Sequence, residues 1–388
     1  MSTNTGAILA SGKRLDFLDA LRGIAAVMVL LLHLRAPLFH FLTPLPAWFD
    51  KWVSMGYTGV HLFFLLSAFS LCLTMGRHMR SEMSLASFYI HRLFRILPLF
   101  YFIMILSLLR NYFIFDKLNT TLLSSLLNIL CINNFYLPKP TGSLVWAGWT
   151  ISVEMIFYAF FPLLFFKIQS TRRALIAILA SALFFLLFRW GFNVSGLQAQ
   201  YPGYIFWSIT RYLPLFFMGF LAFYLVNSTR FDKFKTPLTG IVFLVLAIAV
   251  FYAFSRKLLF EHPFFIDSFY PLGFGYIFLF LGLYCYPLKL IVNKFTLFLG
   301  RLSFSIYLIH ANVIFFLKKP VYEFFSFAGS GLITFLLTFI VIFAVVVALS
   351  VITFYCIEKP GIKAGRKLLS WIINWKNLKQ QKLSNQSI

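Results

Sequence analysis

Ionisable side chains stand inside long apolar runs of this chain: Asp19, Arg22 and His33 in the first, His61 in the second, Glu154 in the fourth, Arg211 in the sixth and His310 in the ninth. Such groups are costly in hydrocarbon and as a rule face a cavity or a partner, so they mark where chemistry would be done. On a helix Arg22 and His33, eleven residues apart, fall within about 20° of one face, and Asp19 lies within about 40° of His33. One stripe therefore carries all three, and it spans ~16 Å along the axis from Arg22 to His33.

Glu154 is expected ~9 Å below the outer end of a helix starting near Gly148, and His33 in the same outer half, so the two are predicted to meet. A carboxylate on one imidazole nitrogen would fix its tautomer and raise its basicity, as a general base acting on a hydroxyl requires. A pair that only joins two helices would satisfy the same pattern. Arg92 and Arg95, three apart on one helical face at the cytoplasmic edge, suit a phosphate group, although positive-inside anchors share that spacing. His310 is expected ~12 Å into its helix, as a hydrogen bonder between helices. With His33 and His61 it forms no i, i+4 pair, so no metal site is expected.

The elements that position these groups follow from composition. The chain has 388 residues, 61% of them apolar and 12% charged, with 52 Phe and a mean hydropathy of +0.86; a water-soluble domain is excluded. The net charge of +23 fits the positive-inside rule, because no basic run has the aromatic interleaving of a nucleic-acid surface. Cys72, Cys131, Cys285 and Cys356 have no metal or disulfide spacing and read as apolar filler. Apolar windows predict an all-α polytopic membrane bundle of about ten helices, at 17–34, 57–76, 96–114, 148–167, 174–190, 204–226, 238–255, 268–288, 302–317 and 331–357. The Lys and Arg distribution puts both termini in the cytoplasm.

The stretch from Leu122 to Leu137, broken by Asn128, Asn133 and Asn134, is predicted to be interfacial or re-entrant. The polar stretch Met1 to Gly12 has no signal-peptide pattern. Residues 1–358 read as one transmembrane domain, and 359–388 as a basic cytoplasmic tail suited to anionic lipid.

Several segments carry a resemblance when taken together. They are Leu18-Asp19-Ala20-Leu21-Arg22-Gly23 followed by His33; Gly59 to Phe69; Arg92-Leu93-Phe94-Arg95-Ile96-Leu97-Pro98; and Trp149 to Tyr158 around Glu154. Arg211-Tyr212-Leu213-Pro214 to Gly219, Ser303 to His310, and Ile357-Glu358-Lys359-Pro360 complete the set. In order and spacing they resemble the acyltransferase-3 family, membrane acyl-CoA-dependent acyltransferases that modify cell-surface glycans and some lipids or antibiotics. Two departures are His61, where relatives usually have Asp, and Ala68, where they usually have Gly.

The resemblance implies an O-acyltransferase, foremost an O-acetyltransferase of the bacterial inner membrane. It would move an acyl group from cytoplasmic acyl-CoA to a hydroxyl of a glycan or lipid-linked glycan such as lipopolysaccharide O-antigen or exopolysaccharide. Acyl-CoA would be a substrate rather than a resident cofactor, and no metal or nucleic acid would take part. Catalytic roles are expected for His33 and Glu154, and donor-binding or orienting roles for Asp19, Arg22, Arg92 and Arg95. Arg211, His310, Trp149, Ser152 and Tyr158 are expected on the acceptor side or as structural polar groups. Larger relatives carry a C-terminal hydrolase-like domain that this sequence does not show, so the chain would finish transfer itself or with a partner protein. A lipid or small-molecule acyltransferase and a transporter using the same polar stripe are the other readings; the transporter lacks the matching halves such proteins often show.

Overall fold

The computed structural model describes residues 15–38, 45–78, 83–115, 121–138, 144–256 and 270–386. The polar N-terminal stretch, Lys13 and Arg14, and the first two residues of the predicted 268–288 run lie outside them. Every regular element among the described residues is helical: α1 Asp16–Leu38, α2 Ala47–Ser54, α3 Thr58–His78, α4 Ser84–Phe115, α5 Leu122–Ile129, α6 Gly148–Lys167 and α7 Thr171–Val194. These are followed by α8 Ile209–Val226, α9 Pro237–Ser255, α10 Tyr270–Cys285, α11 Lys294–Phe325, α12 Gly331–Thr353 and α13 Lys359–Gln386. Nine helical segments of the described residues are long and apolar enough to cross a membrane, and α10 is a shorter apolar helix beside them. The chain is thus an all-α polytopic bundle.

Burial sorts the helices into two shells. The apolar windows of α1, α8 and α11 are 67%, 78% and 72% buried, whereas those of α7 and α9 are 22% and 11% buried. Lipid-facing helices have no need to hide an apolar face, so an outer shell with few buried residues is what a bilayer solvent permits. Aromatic rings fill much of the interior: Phe157 of α6 stacks on Phe216 of α8 at 3.9 Å.

The parallel pair α1 and α11 is the spine of the bundle. Gly23 and Gly300 let the two backbones touch: a Cβ on Gly23 would lie 2.7 Å from the Thr296 carbonyl oxygen, and one on Gly300 would overlap the carbonyl of Asp19. The start of α11 is fixed by Asn293, whose side chain accepts from the Phe295 and Thr296 amides while Thr296 closes a capping box. Asp16 and Asp19 in the first turn of α1 and Arg35 in the last complement its dipole. At the C-terminal end of α1 Arg35 grips Asp50 of α2 with two bonds, Nε to Oδ1 at 2.5 Å and Nη2 to Oδ2 at 2.7 Å, the fork geometry that guanidinium and carboxylate favour.

The third and ninth predicted runs are longer than their apolar windows. The helix containing the third begins at Ser84 and takes in Arg92 and Arg95; α11 covers 32 residues. The segment with three asparagines is a short helix, α5, followed by a 3₁₀ turn over Asn133–Phe135, with all three asparagines buried. Asn128 accepts from the Leu144 amide at 3.0 Å. Asn134 donates to the Trp207 carbonyl at 2.7 Å and accepts from the Ile209 amide at 2.9 Å, satisfying backbone that α8 leaves open at its start. Asn134→Ala is expected to orphan both groups, at about 1–3 kcal/mol each, and to lower the midpoint of thermal unfolding in detergent; an unchanged midpoint would show the clamp to be dispensable.

Helix α12 runs into α13 through a π turn at Phe354–Glu358. The basic segment after Lys359 is therefore helical, and its first turns pack on α4: a Cβ at Gly361 would lie 2.8 Å from the Pro98 ring, and one at Gly365 2.7 Å from Phe94.

Candidate functional site

A cavity of about 540 Å³ opens between α1, α3, α4, α6 and α11 and reaches the π turn. Its organising wall is one face of α3, where Val60, Phe63, Phe64, Ser67, Ser70 and Thr74 recur at helical spacing. The three hydroxyls hold charged groups from three other helices. Ser70 accepts from Arg22 Nη2 of α1 and donates to the Leu66 carbonyl at 2.6 Å. Thr74 accepts from Arg92 Nη2 of α4 at 2.8 Å and donates to the Ser70 carbonyl at 2.9 Å. Ser67 donates to Glu154 Oε1 of α6. Small polar residues three and four apart on an otherwise apolar helix were a signal open to sequence reading, which passed over them.

The cavity is cationic on balance, with Arg22, Arg92, Arg95 and Arg301 against Asp19, Glu154 and Glu358, four charges against three. Arg22 Nη1 donates to Asp19 Oδ1 at 3.3 Å. Arg92 sits over the Tyr158 ring at 5.8 Å, and its buried Nε has no hydrogen-bond partner among the described residues. Arg95 and Arg301 are solvent-exposed yet line the cavity, so they stand at its mouth. Glu358, in the π turn, accepts from Ser305 at 3.1 Å; π turns occur often at functional sites because the extra residue redirects a side chain.

Glu154 is not the partner of His33. Its Oε1 receives the hydroxyls of Ser67 and Tyr158, which leaves Oε2 without a protein partner among the described residues. The first turns of α6, from Gly148 to Val153, are all buried. The asparagine segment covers this start, the Asn134 amide donating to Ser152.

His33 instead meets His310. Its Nδ1 lies 2.8 Å from His310 Nε2, with the rings stacked at 4.9 Å; His310 Nδ1 lies 3.2 Å from the Ile306 carbonyl oxygen. The register comes from the spine: each histidine stands ten residues beyond its contact glycine, Gly23 or Gly300, so parallel helices joined at the glycines bring the histidines level ~15 Å further along the axis. His310 is 1% exposed, whereas His33 is half-buried and has Trp146 at 5.1 Å. Tyr307 joins the two regions. It lines the cavity, its ring is 5.8 Å from His310, and its hydroxyl lies 2.7 Å from that of Thr150, which donates to the Ala147 carbonyl.

The remaining predicted groups lie apart. Trp149 packs between Trp207 and Tyr212 at 4.7 and 5.5 Å, and Ser152 accepts from the Asn134 amide at 3.0 Å. Arg211 donates to the Phe206 carbonyl at 3.2 Å and stacks on its ring at 4.1 Å; it lines a second cavity of about 300 Å³ with Arg189 and Asn193, away from Glu154. His61 is buried beside Tyr57 and Tyr212. Ala68 faces Gly219 of α8, where a Cβ would lie 2.7 Å from its own, so the partner helix supplies the small residue that a close approach at this level requires.

No match was found among curated proteins or among solved structures. The family model Acyl_transf_3, described as an acyltransferase domain, matches residues 15–355, a span that contains α1, the whole α3 wall and the histidine pair, and the chain belongs to that family of acyltransferases.

Proposed function

We propose that this membrane acyltransferase is an O-acyltransferase, foremost an O-acetyltransferase, that carries an acyl group from cytoplasmic acyl-CoA to a hydroxyl of a cell-surface glycan. The observation that carries the reading is the arginine-lined cavity along the α3 wall, whose lining ends at Tyr307, a ring that packs against His310 of the histidine pair. Phosphates of CoA bind Arg92, Arg95 and Arg22, whose guanidinium forks match phosphate oxygens. The pantetheine arm lies along the cavity, where Glu154 Oε2 accepts from one of its amide N–H groups. The mouth adjoins α13, rich in Lys and Arg, so this end faces the cytoplasm with both termini, in a bacterial inner membrane.

In the transfer step His33 takes the proton of the acceptor hydroxyl while its oxygen forms a bond to the thioester carbonyl carbon. The C–S bond then breaks, and the CoA thiolate leaves with the proton held by His33. The acceptor approaches from the outer half of the membrane, at Trp146 and His33; lipopolysaccharide O-antigen and exopolysaccharide are acceptors of this class.

The first test needs no acceptor. Acetyl-CoA at a hundred times its dissociation constant is expected to stabilise the detergent-purified protein by ~2.7 kcal/mol, and the Arg92→Ala, Arg95→Ala variant to lose that shift relative to its own ligand-free midpoint. A folded wild type that acetyl-CoA leaves unmoved at any concentration would reject acetyl-CoA as the donor.

A further inference from the structure

The geometry points to His310 as the positioning residue of His33, holding its ring in the one tautomer that keeps Nε2 free to accept a proton; the inference rests on the role proposed above for His33. A carbonyl oxygen can only accept, so His310 Nδ1, 3.2 Å from the Ile306 oxygen, carries the hydrogen of that bond. In the neutral ring the other nitrogen, Nε2, then bears a lone pair. It lies 2.8 Å from His33 Nδ1, so His33 Nδ1 must be the donor. The proton of neutral His33 is thereby committed to His310, and its Nε2 is left as the basic nitrogen. The assignment follows from the hydrogen-bond network and not from observed hydrogens.

Exposure separates the two roles. His310 is 1% exposed and both its nitrogens are engaged, so it has no nitrogen for a substrate, whereas His33 is half-buried. The arrangement has the logic of a catalytic triad, in which a buried acceptor on Nδ1–H orients the imidazole, with a backbone carbonyl and a neutral histidine in place of the carboxylate. It also accounts for the use of Glu154 elsewhere: the acceptor site on His33 is already filled. When His33 receives the hydroxyl proton, the Nδ1–H···Nε2 bond to His310 becomes charge-assisted and strengthens as the transition state forms.

The test uses membranes from the source strain lacking its chromosomal copy and expressing each variant, with radiolabelled acetyl-CoA as donor and label in envelope macromolecules as readout. His310→Ala is expected to lower kcat by about 10- to 100-fold, the effect typical of an outer-shell partner, with KM for acetyl-CoA unchanged. His310→Gln, whose amide oxygen can accept from His33 Nδ1–H, is expected to restore most of the rate. In a His33→Ala background, His310→Ala should slow transfer no further. Should His310→Ala not accumulate as folded protein, His310→Leu, which refills the volume without an acceptor, takes its place. A Gln variant as slow as the Ala or Leu variant, while acetyl-CoA stabilises both as it does the wild type, would overturn the assignment. So would a wild-type rate for His310→Ala, or an undiminished effect in the His33→Ala background. A wild-type rate for His33→Ala alone would instead reject the proposed role of His33.

Discussion

His33→Ala is expected to lower acyl transfer by about 10²- to 10⁴-fold, or ~3 to 5 kcal/mol of barrier, while the protein still inserts and still responds to acetyl-CoA. The substitution removes the half-buried imidazole that pairs with His310. No neighbour stands in its place, since His310 is buried behind it and Glu154 lies with Ser67 and Tyr158 on the α3 wall. Arg22 and Arg92, held by Ser70 and Thr74 of α3, are untouched, so donor binding and turnover should separate. Transfer of label from acetyl-CoA and the acetyl-CoA thermal shift, measured on the same preparation, check both halves. Turnover at the wild-type rate would remove His33 from the chemistry.

Gly300→Val is the second. A side chain at this position overlaps the backbone of Asp19, and backbone cannot step aside as the end of a flexible side chain can. Helices α1 and α11 must move apart, at about 1–3 kcal/mol or more for an overpacked contact. The catalytic loss should be larger than the stability loss suggests, because a 1 Å misplacement remote from the chemistry can cost about 10²-fold. The same displacement pulls Arg22 from its place beside Ser70 and His33 from His310. Gly191→Ala is the control, since an added Cβ there meets nothing within 4 Å. Thermal unfolding and label transfer should both fall in Gly300→Val and hold in the control; wild-type transfer by a folded Gly300→Val protein would show that the backbone contact does not set the register.

The fold was legible because the bilayer makes it so: long apolar runs must be helices, and each of the ten expected runs has a described helix. The ends were less legible. Helices α4 and α11 continue beyond their expected runs, and Arg92 and Arg95 sit in the added turns of α4. The asparagine segment was readable as a departure from a spanning helix, but its role was not, since Asn134 clamps a Trp207 carbonyl distant in sequence.

At the site, helical spacing grouped Asp19, Arg22 and His33 on one helix but could not choose neighbours between helices. A shared depth pairs Glu154 with His33 in the sequence, but depth does not say which side chains face one another across helices, and Glu154 Oε1 meets Ser67 and Tyr158 instead. The true partner had a trace in the sequence: Gly23 to His33 and Gly300 to His310 have the same length, which only the knowledge that α1 and α11 run parallel would have made meaningful. Ser67, Ser70 and Thr74 form a stripe at helical spacing in the sequence, but which charged groups they hold depends on neighbours from other helices.

The glycine contact between α1 and α11 also determines what this protein does not need to do. Two helices joined backbone to backbone have no hinge between them, so the interval from the Asp19–Gly300 contact to the histidines is a gauge of fixed length, set by the ~1.5 Å rise of the helix. A rocking motion of one of these helices against the other would have to break that contact. With acyl-CoA as the proposed donor, the acyl group would cross the interval by the reach of its own carrier, and discrimination between donors would become a matter of length measured against an unyielding scale.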